Sequence, residues 1–260
     1  MHNAIRTGVV AALLGLAVPV QAYEAAPVAN GGSVTGTVKF GGTPPPPRSF
    51  ALIIYPDYDT CDAISDRKGY RYLYDVVTAK DGGLRDVVIT VEGIERGKPF
   101  SSNAPLIEVR NCEFKPYVIT LRDQQTLTID NHDPIFHDLQ GYGQDPKNRI
   151  RRLLEKPLQM NSVRTERIEF QPGQDLLRIQ CGMHAFMQTW AKRVETPYVA
   201  ISAADGQFQI TDLPPGTYRL RAWHPRLGTE ETEITIRPGE KTTAEFRFNP
   251  SQVSKVPSGR

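Results

Sequence analysis

The run "CGMHAFM", Cys181 to Met187, places one thiol, one imidazole and two thioethers within seven residues. Thiolate and thioether are soft donors and imidazole is borderline, a set that suits a copper ion cycling between Cu(I) and Cu(II). A structural zinc site would use more Cys or His and has little use for Met. The trigonal copper arrangement of two imidazoles, one thiolate and a weak axial thioether needs a second histidine. "NHDPIFHD" offers two, His132 and His137, and the loop itself offers Met183 and Met187 as thioethers.

These donors act together only if strands bring them to one place. In "LLRIQC", Leu177, Ile179 and Cys181 fall on one face of a strand, and Arg178 and Gln180 on the other. The sulfur then points inward at the end of a core strand, with His184 and Met187 on the turn that follows. "TLTID" reads as a strand leading into His132 and His137. From residue 84 onward "DVVITVEG", "LIEVRNC" and "YVITL" continue the strand pattern. Residues 140–162 read as a long basic loop with one helical turn at "RRLLEK". "RIEFQPGQDLLRIQC" reads as two strands joined by a Pro-Gly turn. Trp190 is expected in the core, and His224 is expected to be an ordinary turn histidine.

The Cys-x-x-His-x-x-Met run, with Phe186 before the Met, resembles the copper loop of the amicyanin and plastocyanin-like cupredoxins. Asn131-x-Asp133-x-x-x-His137 resembles the strand and loop that carry the first histidine in that family. The resemblance covers roughly residues 84–196. It implies a Greek-key β-sandwich, copper as cofactor, and a type 1 site of His137, Cys181 and His184 with Met187 axial. It favours His137 over His132. It also implies an electron carrier rather than an enzyme, of a kind found in methylamine-utilisation settings. Asp138 stands where many relatives place Asn, which alters the hydrogen bond expected to tie the two ligand loops together.

A second texture begins near residue 197, where Asp-Gly, Pro-Pro-Gly and Pro-Gly turns separate short alternating strands. "DGQFQITDLPPGTYRL" resembles the carboxypeptidase regulatory-like, or transthyretin-like, sandwich. The opening strands of such a domain resemble "GSVTGTVKFGGTPPPPRSFALIIY", far upstream. The expectation is an all-β chain with a discontinuous sandwich, 32–57 plus 198–248, a copper domain at 58–196 inserted into it, and a disordered tail at 249–260. Two domains in series is the simpler alternative. The 21 glycines and 21 prolines suit such a turn-rich β protein. No His-Glu-x-x-His motif supports peptidase activity. Related sandwiches are called carbohydrate-binding-like, but nothing in the sequence singles out a sugar site.

Residues 1–22 read as a cleaved signal peptide: a basic start at His2 and Arg6, an apolar run from Gly8 to Val18, and small residues in "VQA". Export to a periplasm is expected, with no later membrane span. Of the three cysteines two should pair in an oxidising compartment. Cys181 sits beside His184 and Met187 and is the odd one out, so the pair is Cys61–Cys112, a link that contributes about 4 kcal/mol by loop-entropy reasoning. A net charge of +2 gives no reason to propose nucleic acid as a partner. Too few histidines remain after cleavage for a multicopper oxidase. The leading expectation is a single-electron carrier serving a redox partner such as a cytochrome or periplasmic dehydrogenase. Copper sequestration or delivery is the second reading, and an adhesion or carbohydrate-binding module the third. The basic run Lys147 to Arg152 is expected to be a solvated loop, or else a docking patch for an acidic redox partner.

Overall fold

The computed structural model describes residues 23–253; the expected signal peptide, 1–22, and the end of the expected disordered tail, 254–260, lie outside the described residues. Among the described residues the chain forms twenty strands, numbered β1 to β20 in chain order, and its one α-helix is four residues long. No described helix is long and apolar enough to cross a membrane.

The first sandwich is built from widely separated segments. Strand β2 (Gly32–Phe40) lies between β17 (Gln207–Leu213) and β20 (Lys241–Phe248). The facing sheet orders β16 (Val199–Ile201), β5 (Val88–Glu92), β18 (Gly216–His224) and β19 (Gly228–Ile236). Alternation explains the core: Val34, Val38 and Phe40 pack with Phe208, Ile210, Phe246 and Phe248. Gly36 is required where β2 passes β20, since a Cβ there would lie 2.0 Å from the Ala244 carbonyl oxygen. Leu84, Val87, Ile89 and Val91 complete the same core. The segment 84–94, expected in the copper domain, therefore belongs to this sandwich.

The second sandwich carries the candidate ligands. One sheet orders β13 (Ser162–Arg167), β10 (Thr126–Asn131), β7 (Leu106–Val109) and β8 (Phe114–Lys115). The other orders β12 (Ile150–Leu158), β11 (His137–Gln144), β14 (Leu176–Cys181), β15 (Gln188–Arg193) and β9 (Val118–Leu121). Ile107, Leu127 and Ile129 from the first sheet meet Leu139, Leu177 and Ile179 from the second. Each such side chain contributes roughly 1.5–3 kcal/mol by leaving water.

Two local expectations are corrected here. Residues 140–162 are not a loop with a helical turn but the hairpin of β11 and β12, with a register shift between Gly141 and Tyr142. Their charges mislead because β12 is an edge strand, burying only Leu154 and Leu158 and turning Arg151, Arg152, Glu155 and Lys156 to solvent. Likewise "RIEFQPGQDLLRIQC" is no hairpin: β13 and β14 sit in opposite sheets, and the Pro-Gly stretch crosses between them.

A third piece covers one end of the second sandwich. Strands β3 (Arg48–Ala51) and β4 (Tyr70–Leu73) form a two-stranded hairpin. A 3-10 turn (Leu52–Ile54), the helix α1 (Tyr58–Cys61) and a second 3-10 turn (Asp62–Ile64) connect them. Phe50, Leu52, Tyr55, Tyr58 and Cys61 pack onto the core of the ligand-bearing sandwich. Residues 48–57, expected in the other domain, thus belong to this cover. An isolated two-stranded hairpin is marginal in water, and two devices hold this one down. Cys61 is bonded to Cys112 at an S–S distance of 2.01 Å. Arg48 makes a bidentate pair with the buried Asp75 (2.6 and 2.9 Å) and donates to Gln188 Oε1 (3.0 Å), on the strand that follows the ligand loop.

The remaining short pair, β1 (Glu24–Ala25) with β6 (Arg96–Gly97), ties down the start of the described chain. Pro250–Gln252 forms a 3-10 turn where a disordered tail was expected to begin. The two sandwiches meet through Val88, Val118, Trp190 and Trp223. Trp190 is buried as expected, but at this junction rather than in a domain core.

Candidate metal centre

Strand β14 delivers Cys181 with the expected inward alternation. The chain then turns so that the Met187 amide donates to the His184 carbonyl (2.9 Å) and the Cys181 amide to the Met187 carbonyl (3.2 Å). This tight loop folds His184 back toward its own cysteine. His137 opens β11, the strand hydrogen-bonded beside β14. All three side chains are sealed: His137 and His184 are 0% exposed and Cys181 1%.

Sγ of Cys181 lies 3.8 Å from His137 Nδ1 and 3.5 Å from His184 Nδ1. One thiolate and one imidazole bound at about 2.3 and 2.0 Å and spread trigonally would stand about 3.7 Å apart. The three donor atoms lie within 4.8 Å of one another. The donor set therefore fits a trigonal S,N,N copper site, with both imidazoles offering Nδ1. Met187 is fully buried in the same core cluster, and the rival Met183 is only partly buried against it.

Each histidine's second nitrogen is also spoken for. His137 Nε2 lies 2.9 Å from Asp133 Oδ2. Asp133 also accepts the amides of Asn111 (2.5 Å) and Cys112 (2.8 Å). Burial works to raise the Asp133 pKa, but the His137 hydrogen bond and these amides prevail and hold it below the usual carboxylate range. Asn131, 1% exposed, shapes the loop by donating to the Ile135 and Gln159 carbonyls and accepting from the Asp133 amide. His184 Nε2 donates to the Pro56 carbonyl at 3.1 Å, so the cover itself grips the second histidine.

Burial opposes charge on both Cys181 and His137, and the contacts overcome it. Hydrogen bonds from His137 and His184 pull the Cys181 thiol down to about 6. Asp133 and the Cys181 sulfur push His137 up. The contacts thus favour the charged forms of both groups, and a metal at His137 Nδ1 would compete with a proton there.

His132 does not join the cluster. It is part-exposed, with Nε2 3.1 Å from Asp130 Oδ2 and 3.6 Å from Glu108 Oε1. His224 is not part of the cluster either: it is buried at the end of β18, where its Nδ1 accepts the Arg226 amide (3.2 Å) and burial pulls its pKa down to about 3. Asp138 leaves the tie between the ligand loops intact, because the bond runs from the Gly182 amide to the Asp138 carbonyl (2.8 Å) and does not involve the side chain. Sequence reasoning missed the roles of Asp133 and Pro56. The four-residue Asp133–His137 spacing was visible in the motif; a backbone carbonyl 128 residues upstream of His184 carries no such signal.

Fold and site define an all-β protein of two β-sandwiches, one of which holds a buried His137–Cys181–His184 cluster. Residues 190–249 match the carboxypeptidase regulatory-like domain family. That match starts inside β15 and omits β2 and β5. Among solved structures, a purple cupredoxin from Nitrosopumilus maritimus aligns at 15% identity and a TM-score of 0.28, over 35% of this chain and 99% of its own. An amicyanin from Paracoccus versutus aligns at 12% and 0.28, over 41% and 97%. A copper-containing nitrite reductase from Thermus scotoductus aligns at 14% and 0.28, over 38% and 24%. No curated protein matches the sequence.

Proposed function

We propose that this protein is an exported type 1 copper protein that carries single electrons between redox partners in the periplasm. One observation carries the reading: a buried cysteine sulfur and two buried imidazole Nδ1 atoms converge at separations that suit a trigonal copper ion. His137, Cys181 and His184 would hold the ion, with Met187 as its axial thioether. Copper would supply the one-electron couple. The chain's own part is to fix both imidazoles through Asp133 and Pro56, keep the cysteine as thiolate, and exclude water. A donor set held this firmly needs little rearrangement between oxidation states.

The sealed site also bears on copper delivery, the second reading. His184 is covered and hydrogen-bonded on its outer edge, which favours retention of the ion over its exchange. The test is the visible and EPR spectrum of mature protein loaded with Cu(II). An intense thiolate charge-transfer band with a narrow copper hyperfine splitting is expected. Cys181→Ser should abolish the band, and a variant that keeps its full colour would sink the assignment.

A further inference from the structure

In the ligand-bearing sandwich, the copper end and the opposite end have different surfaces. The metal-binding end is closed by the 48–73 cover. Ile53 and Ile54 are 75% and 74% exposed there, the two most exposed large apolar side chains among the described residues. They immediately precede Tyr55 and Pro56, and the Pro56 carbonyl takes the His184 hydrogen bond. Met160, 55% exposed, sits in the turn between β12 and β13 at the same end, since its neighbour Leu158 pairs with His137. Around Ile53 and Ile54 the chain is acidic. Asp57, Asp59, Asp62 and Asp66 fall within residues 53–66, which contain no Lys or Arg, and the net charge stays negative when Arg67 and Lys68 are counted.

The basic run Lys147 to Arg152 lies at the other end. It follows Gln144, seven residues along β11 from His137, a span of roughly 23 Å in an extended strand. Two of its four cations are already paired within the hairpin, Arg149 with Asp145 and Arg152 with Glu155. That run is far from the donors and half neutralised.

Resting on the copper reading above, we propose that electrons enter and leave through the 53–59 segment, and that the partner is a redox protein presenting an apolar cofactor edge ringed by basic residues. The route is short: imidazole, one hydrogen bond to the Pro56 carbonyl, then exposed backbone and Ile54. Apolar contact at the centre and opposite charge at the rim give fast, salt-sensitive encounter. One electron passes from the partner's reduced cofactor to Cu(II), giving Cu(I), and no covalent bond is made or broken. The partner is thus basic, in place of the acidic one that the docking-patch reading of 147–152 would call for.

The test uses two c-type cytochromes as probes, one with a lysine-ringed haem edge and one with an acidic surface. Amide NMR shifts of the metal-free protein map each docking site without reference to copper. The basic cytochrome should shift signals of residues 53–59 and 160, and salt should weaken the effect. Ile54→Lys and Asp59→Lys should each weaken that binding at least about fivefold, the equivalent of about 1 kcal/mol per contact, and Lys147→Glu should not. On the copper-loaded protein, the same two variants should slow reduction by the reduced basic cytochrome while leaving the visible band unchanged. Shifts centred on 147–152, preference for the acidic cytochrome, or no binding of the basic one would each overturn the proposal. Loss of the visible band in the parent protein would instead refute the copper reading, and the NMR map would still decide the docking face.

Discussion

Replacing Asp133 by Asn tests whether the chain would tune a copper ion held at the cluster through a buried charge. The carboxylate is 3% exposed and 2.9 Å from His137 Nε2. An ion bound at Nδ1, across the ring, would lie roughly 7 Å from that oxygen. At an effective permittivity of 20 a unit charge at this distance contributes about 2.4 kcal/mol, or about 100 mV for a one-electron couple. The negative charge favours Cu(II), so Asp133→Asn should raise the reduction potential by about 100 mV. Asn keeps the size and can still accept from His137, but it brings an amide N–H toward the Asn111 and Cys112 amides. A stability loss of about 3–5 kcal/mol, typical of a broken buried charge contact, is therefore expected as well. Spectroelectrochemical titration reads the first effect and urea unfolding the second. A potential within about 20 mV of the parent, with the visible band intact, would show that the carboxylate only positions the ring and that this electrostatic reasoning is wrong.

Four further outcomes are expected. Met187→Leu should retain copper and raise its potential, because a weak donor to Cu(II) is lost; an unchanged potential would point to Met183 or to no axial thioether. His137→Ala should destroy the visible band, whereas His132→Ala should leave it and change stability by no more than about 0.5 kcal/mol, as for an ordinary surface site; the reverse result would overturn the ligand choice. His224 is held neutral in the fold, with its pKa depressed to about 3. The unfolded chain takes up that proton from about pH 6.5 downward, so the fold should lose about 2 kcal/mol between pH 7 and pH 5 from this group. His224→Gln should flatten that slope in urea titrations, and an identical slope would refute the assignment. Residues 58–196 expressed alone should not unfold cooperatively, since they carry β5 without its sandwich and lack the β3 half of the cover; a sharp two-state transition would show that the segments are less interdependent than the packing indicates.

The residues of the donor cluster were legible because their signals are local. Cys181 sits two and four residues from Ile179 and Leu177 on an alternating strand, and that period alone aims its sulfur inward. His184 and Met187 follow within one turn. The disulfide followed from compartment and elimination. His137 needed more: from residue types alone His132 was an equal candidate, and only the family pattern separated them. What decides between them physically is Asp133, which accepts two amides of the Cys112 loop and is thereby held where only His137 can reach it.

What the sequence hid is which apolar face meets which. Alternation in "SVTGTVKF" and in "DVVITVEG" says that one side of each strand is buried; it does not say against what. Neighbours along the chain were assumed to be neighbours in space, which joined 48–57 to β2 and 84–94 to the copper domain. In fact the chain crosses between the sandwiches four times, at about residues 41–47, 74–83, 93–105 and 194–198. The cover lies on one such excursion. "FALIIY" reads as one of the sandwich's opening strands, yet only Leu52 is fully buried, and Ile53 and Ile54 are left in water. A short apolar run on a surface excursion is costly to leave exposed unless something binds it. The crossings also explain how the metal end is closed. Cys61 on the cover is bonded to Cys112, whose amide holds Asp133 and through it His137, while Pro56, five residues before Cys61, holds His184. One covalent bond therefore couples the supports of both histidines, although the residues involved are scattered from 56 to 184.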